Sequence, residues 1–127
     1  MIKTISAISL TAALFLVFST PASALTASQV KQCQAMGASL QVRKQEAQAA
    51  MKARAGLYDQ VEETGEQWEA AEAVRNFGAD KAAEADGLKT KYDRLKGELH
   101  RKDMALSSNV SMINADTAAY ASMCDAG

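Results

Sequence analysis

The two cysteines constrain this chain more than any other feature. Cys33 and Cys124 are the only pair among 127 residues and stand 91 positions apart. Their midpoint falls on Gly78, within Asn76-Phe77-Gly78-Ala79-Asp80, the strongest helix-ending cluster in the chain. A chain that turns back there brings the sulfurs level, with facing residues whose numbers sum to about 157. The rival turn, Gly87 after Asp86, leaves them many residues out of step, far beyond the ~7 Å Cα separation a disulfide tolerates.

Periodicity points to the same hairpin. On the first arm Cys33, Leu40, Ala47, Arg54, Val61 and Trp68 recur every seven residues, beside Met36, Arg43, Ala50, Leu57, Thr64 and Ala71. On the second, Ala85, Tyr92, Leu99, Leu106, Ile113 and Tyr120 do the same, flanked by Leu88, Leu95, Val110 and Thr117. Such series are what a two-stranded coiled coil buries. The predicted register sets Met36 near Tyr120, Ala50 near Leu106, Leu57 near Leu99, Thr64 near Tyr92 and Arg54 opposite Asp103. The seam is therefore expected at Leu40, Leu57, Val61, Trp68, Tyr92, Leu99, Leu106, Ile113 and Tyr120. Trp68 lies where the Lys89 ammonium can cover its ring.

Local signals fix the ends. Thr26 and Gln29 form the pattern of a capping box, with Leu25 and Val30 as its hydrophobic staple. Gly78 is expected to take the left-handed conformation that ends a helix, and Asp80 to cap the next one. The interior glycines (Gly37, Gly56, Gly65, Gly87 and Gly97) each weaken helix by up to ~1 kcal/mol. The expected fold is all-α: a long antiparallel two-helix hairpin with helices at about 27–76 and 80–121, closed by a Cys33–Cys124 disulfide. A two-helix hairpin has little core, so a covalent staple suits it.

Residues 1–24 read as a cleaved signal peptide. Lys3 gives a positive start, Ile8 to Phe18 is mostly apolar, and Ala22-Ser23-Ala24 offers a small-residue cleavage site. The apolar run is shorter than the ~20 residues a bilayer needs, so no membrane span is expected after cleavage. The remaining 103 residues suffice for a single helical-hairpin domain, 25–127. Alanine supplies 21 of them and proline none, a helix-forming composition. Their net charge of −2 offers no basic surplus for a nucleic-acid partner. A bacterial periplasmic or secreted location follows, and an exported pair of cysteines meets oxidising conditions.

Charge patterning adds a register expectation. Residues 59–72 carry six acids and no base, and the facing stretch 85–98 holds Lys89, Lys91, Arg94 and Lys96. Opposed signs disfavour parallel or slipped pairing, although each exposed ion pair is worth well under ~1 kcal/mol.

Chemistry-bearing patterns are sparse. His100 is the only histidine, with no nucleophile or orienting group in a catalytic spacing. His100 and Met104 share one face a helical turn apart and could supply two soft ligands to copper(I). There is no C-x-x-C redox motif, no C-x-x-C-H haem attachment and no phosphate-cradling glycine loop, so no enzyme activity and no cofactor are expected. The backs of so elongated a hairpin are open to protein partners. A homodimer would make a four-helix assembly, to which Met51, Tyr58 and Met112 could contribute.

Leu25-Thr26-Ala27-Ser28-Gln29 resembles the L-T-x-x-Q motif of the CpxP/Spy-type periplasmic stress chaperones, over five residues and in one copy where that family carries two. The resemblance implies a helical hairpin that associates into concave dimers and holds unfolded clients. The residues by themselves lead first to an exported, non-enzymatic hairpin acting through protein contacts in the envelope. The chaperone and the copper-binding protein are the alternatives.

Overall fold

A computed structural model describes residues 24–125. The expected export segment thus falls almost wholly outside the described residues. Helix α1 spans Ala27–Ala73, a single 3-10 turn occupies Arg75–Phe77, and helix α2 spans Ala79–Cys124. At ~1.5 Å per residue the 47 residues of α1 make a rod about 70 Å long. The two helices pack antiparallel along their length, the hairpin expected from the cysteine spacing.

The capping box is formed. Thr26 Oγ1 accepts from the Gln29 backbone N–H at 3.2 Å, and the Thr26 N–H donates to Gln29 Oε1 at 2.8 Å. This satisfies donors that no preceding turn can reach. The turn differs from expectation in detail. Helix α1 ends at Ala73 rather than near 76, because Val74 leaves helical geometry and its N–H turns to the Ala71 and Glu72 carbonyls. Gly78 is extended, at φ 164° and ψ 164°, and not left-handed. It also serves as the N-cap of α2, with no side-chain cap. Asp80 sits inside the first turn, where its carboxylate meets the positive helix end without bonding a terminal N–H as a cap. Helix α2 runs three residues beyond the expected 121, to the bridged cysteine itself.

Cys33 and Cys124 are bonded, with sulfurs 2.00 Å and Cα atoms 5.8 Å apart. Other contacts obey the same residue-number sum. The Tyr120 ring lies over Gly37 and the Tyr92 ring over Gly65, Arg54 meets Asp103, and Lys89 sits over Trp68. Of the predicted seam residues, Leu40, Leu57 and Val61 are buried, whereas Trp68, Tyr92, Leu99, Leu106, Ile113 and Tyr120 are half-buried. A pair of helices cannot enclose large side chains, and six of the nine keep an edge in solvent.

Packing quality is polarised along the rod. The turn-side half buries Leu57, Val61, Thr64, Ala71, Ala85 and Leu95, with Tyr92 and Leu99 against them. In the clasp-side half only Cys33, Leu40 and Ala47 are buried, all on α1. The cause is side-chain size. Leu106 and Ile113 face a stretch of α1 rich in alanine (Ala47, Ala50), and the Arg54–Asp103 pair occupies the middle of the seam.

The disulfide therefore holds shut the half that packing holds least. Closing a loop of 91 residues removes about 4–5 kcal/mol of unfolded-state entropy on the chain model. In hydrogen–deuterium exchange, reduction is expected to release amides of 27–54 and 103–124 first, while 57–71 and 85–99 stay protected. Uniform loss along both helices would contradict this polarity. The glycines allow a second test. A Cβ at Gly56 meets nothing within 4 Å, whereas at Gly65 it would lie 3.1 Å from Tyr92 Cε2. Gly56→Ala should raise stability by up to ~1 kcal/mol in urea titration. Gly65→Ala should gain less or lose, with a changed near-ultraviolet dichroism from the displaced ring; equal gains at both sites would refute the socket.

Candidate functional site

The side chains with chemistry are spread over helix backs rather than gathered in a cleft. His100 and Met104 are both exposed on α2. With Asp103, Ser107, Ser111 and Met112 they line an open groove along that helix. Among the described residues no group of three His, Cys, Asp or Glu side chains could hold a metal. The soft donors here are the His100 imidazole and the Met104 and Met112 thioethers, all on one open helix surface.

The most organised polar contact is the pair at the centre of the seam. Arg54 Nε donates to Asp103 Oδ1 at 2.7 Å, where the sequence register sets them opposite each other. The Arg54 guanidinium also lies 5.7 Å from the centroid of the Tyr58 ring. Its hydrogen bond and charge hold the Asp103 carboxyl below the usual carboxylate range, with a smaller contribution from the charge of His100. The same hydrogen bond raises the Arg54 pKa. Both side chains remain well exposed, so the pair sets register more than it adds stability. A second cross-helix pair, Arg43 with Asp116, flanks the seam nearer the clasp.

The expected pairing of acidic and basic faces does not form. Among the described residues Asp59, Glu62, Glu63, Glu66 and Glu69 make no ion pair. The bases of α2 turn instead to their own helix, as in Lys89–Asp93 at 2.7 Å and Arg94–Glu98 at 2.9 Å. Lys89 and Lys96 also lie over the Trp68 and Tyr92 rings, at 5.5 and 5.1 Å. A partner one turn along the same helix is always in reach, whereas a partner across the seam is so only if both residues flank it. Trp68 stacks on Tyr92 with centroids 5.6 Å apart, and its indole N–H is buried without an acceptor among the described residues.

Apolar surface is the clearest feature left. Among the described residues nine large hydrophobic side chains are exposed, and seven lie in the clasp-side half, among them Val42, Met51, Met104 and Met112. Tyr58 and Phe77 lie outside that half. Phe77, in the turn, is 81% exposed. Sequence reading noted Met51, Tyr58 and Met112 but missed Phe77, because an aromatic residue beside Gly78 looked like turn punctuation. It also missed the even split of α2: from Met104 to Cys124 the only charged residue is Asp116.

No known protein family, curated protein or solved structure matches this chain. No helix among the described residues is long and apolar enough to cross a membrane.

The depressed Asp103 pKa has a definite sign. A carboxyl whose folded pKa lies below its unfolded value of about 4 stabilises the fold above that value. The benefit fades as pH falls through the folded pKa. The melting difference between the wild type and Asp103→Asn should be present at neutral pH and shrink once the carboxyl is protonated. A difference that persists unchanged where Asp103 is fully protonated would assign it to packing rather than to charge.

Proposed function

We propose that this chain is an exported, non-enzymatic helical hairpin that works through contacts with proteins in the bacterial envelope. The observation that carries the reading is the concentration of exposed large apolar side chains on the clasp-side half. Apolar patches on soluble surfaces mark places where other molecules sit. A sulfur-bonded rod presents such side chains without the ordering cost that a flexible segment meets on binding. The export half of the reading rests on the signal pattern of residues 1–24 and on the use of a disulfide.

Methionine suits the role: Met51, Met104 and Met112 are unbranched and polarisable, able to repack against differently shaped partners. Residues of α1 on the same half give a control surface, since Gln34, Gln41, Gln45 and Gln48 are exposed and polar.

Photo-crosslinking in the native envelope tests this directly. A photoreactive residue at Met104 or Met112 should capture one or a few defined proteins, and one at Gln45 should not. No heterologous adduct at either methionine would overturn the reading. Adducts to many unrelated proteins, with suppression of client aggregation at stoichiometric ratios, would replace a defined partner by a holding chaperone.

A further inference from the structure

The outward side of α2 in the clasp-side half differs from every other helix back in the molecule. The 21 residues from Met104 to Cys124 contain one charge, Asp116, and that charge is paired with Arg43. The same stretch contributes no buried residue to the hairpin. Its inner side is held by half-buried Leu106, Ile113 and Tyr120 and by the disulfide, but its outward side carries only small, uncharged side chains and methionines, an unusual back for a two-helix rod. The facing half of α1 shows the ordinary solution, with Lys31, Lys52 and a series of glutamines on its back.

The outward residues are also ordered. Met104, Ser108, Ser111, Ala115, Ala118 and Ser122 are all exposed and follow one another at steps of four and three. That is the spacing of a second seam, on the side away from α1. Its side chains are small, which lets a second helix approach to the short end of the ~8–10 Å packing range. Ser122 returns its hydroxyl to the Ala119 carbonyl at 2.9 Å and asks nothing of a partner. Met104 and Met112, 62% and 50% exposed, stand ready to fill the edges.

The ends of this stretch say what covers it. Arg101 precedes it and Asp125 follows it, both exposed and neither in an ion pair among the described residues. An antiparallel copy centred on residue 113 sets Met104 opposite Ser122, Ser108 opposite Ala118 and Ser111 opposite Ala115. The same register sets Arg101 of each copy against Asp125 of the other. A shift by one heptad either way loses that charge match. We propose that the chain forms a two-fold dimer through this face of α2, the partner being a second copy of itself. The proposal rests on reading the clasp-side half as a contact surface. The contact would be about 37 Å long and one helix wide, burying several hundred Å² per copy, the range of weak and reversible association.

Sedimentation of the oxidised protein over about 1–300 µM is the test, since micromolar affinity suits an interface of this size. A monomer–dimer equilibrium is expected. Ala118→Glu should raise the dissociation constant at least about tenfold, because the two-fold axis introduces the carboxylate twice into a charge-free seam. Gln48→Glu, on the back of α1, should leave it unchanged. Arg101→Asp and Asp125→Arg should each weaken the dimer and together restore it, with helicity and the disulfide intact in every variant. A monomer throughout, a dimer indifferent to Ala118→Glu, or a failed charge-reversal rescue would each overturn the proposal. Heterologous crosslinks at Met112 from a strictly monomeric protein would sink the dimer alone; a dimer with no heterologous adduct would sink only the envelope-partner reading.

Discussion

Two long helices side by side can slide, and one number removes that freedom: the sum of the residue numbers that stand level across the seam. The Cys33–Cys124 bond sets it at 157, and the contacts at the centre of the seam share that value. Arg54 with Asp103 and Trp68 with Lys89 do so, as do the tyrosine rings over Gly37 and Gly65. Heptad packing alone could not supply this, since a slip of seven residues leaves leucine facing alanine much as before. Register here is set by features too unlike one another to be satisfied by a slipped pairing.

The same constraint explains the division of labour along the rod. Near the turn, connectivity already keeps the helices together, and larger side chains can build a small core around Leu57, Val61 and Leu95. Far from the turn, loop-closure entropy works against contact. There the seam is buried Leu40, alanines, a charged pair and the half-buried Leu106, Ile113 and Tyr120, so the bond between sulfurs takes over. The same thinly packed half carries seven of the exposed large apolar side chains.

Fold and register were legible in the sequence because they were encoded redundantly. The cysteine midpoint, two heptad series and an opposed Arg54 and Asp103 all lead to one hairpin, and the capping box at Thr26 marks its start. What stayed hidden depended on neighbours rather than on the chain itself. Gly65 looks like a weak point by propensity, and only the Tyr92 ring shows it to be a socket, whereas the Tyr120 ring over Gly37 leaves room for a Cβ. The acids of 59–69 look complementary to the bases of 89–96, but facing in number is not facing in space when one set points outward. The backbone at Gly78 follows from a 3-10 turn that propensity does not foresee. For the contact surface, sequence offered scattered methionines and the structure shows Met51, Met104, Met112 and Met123 exposed; His100, conspicuous in the sequence, sits on an open helix back.

The ring-over-glycine pairs have a consequence for alignment. Gly37 and Gly65 are four heptads apart, and so are Tyr92 and Tyr120. In a chain whose thiols are still free, a displacement of one heptad would press Tyr92 against Tyr58 or Glu72, and Tyr120 against Val30 or Lys44, none of which offers a gap. The two rings thus act as a vernier whose marks coincide at the native alignment, the Tyr92 mark being the tighter. Rings and sulfurs mark one and the same alignment, and the covalent bond makes it permanent.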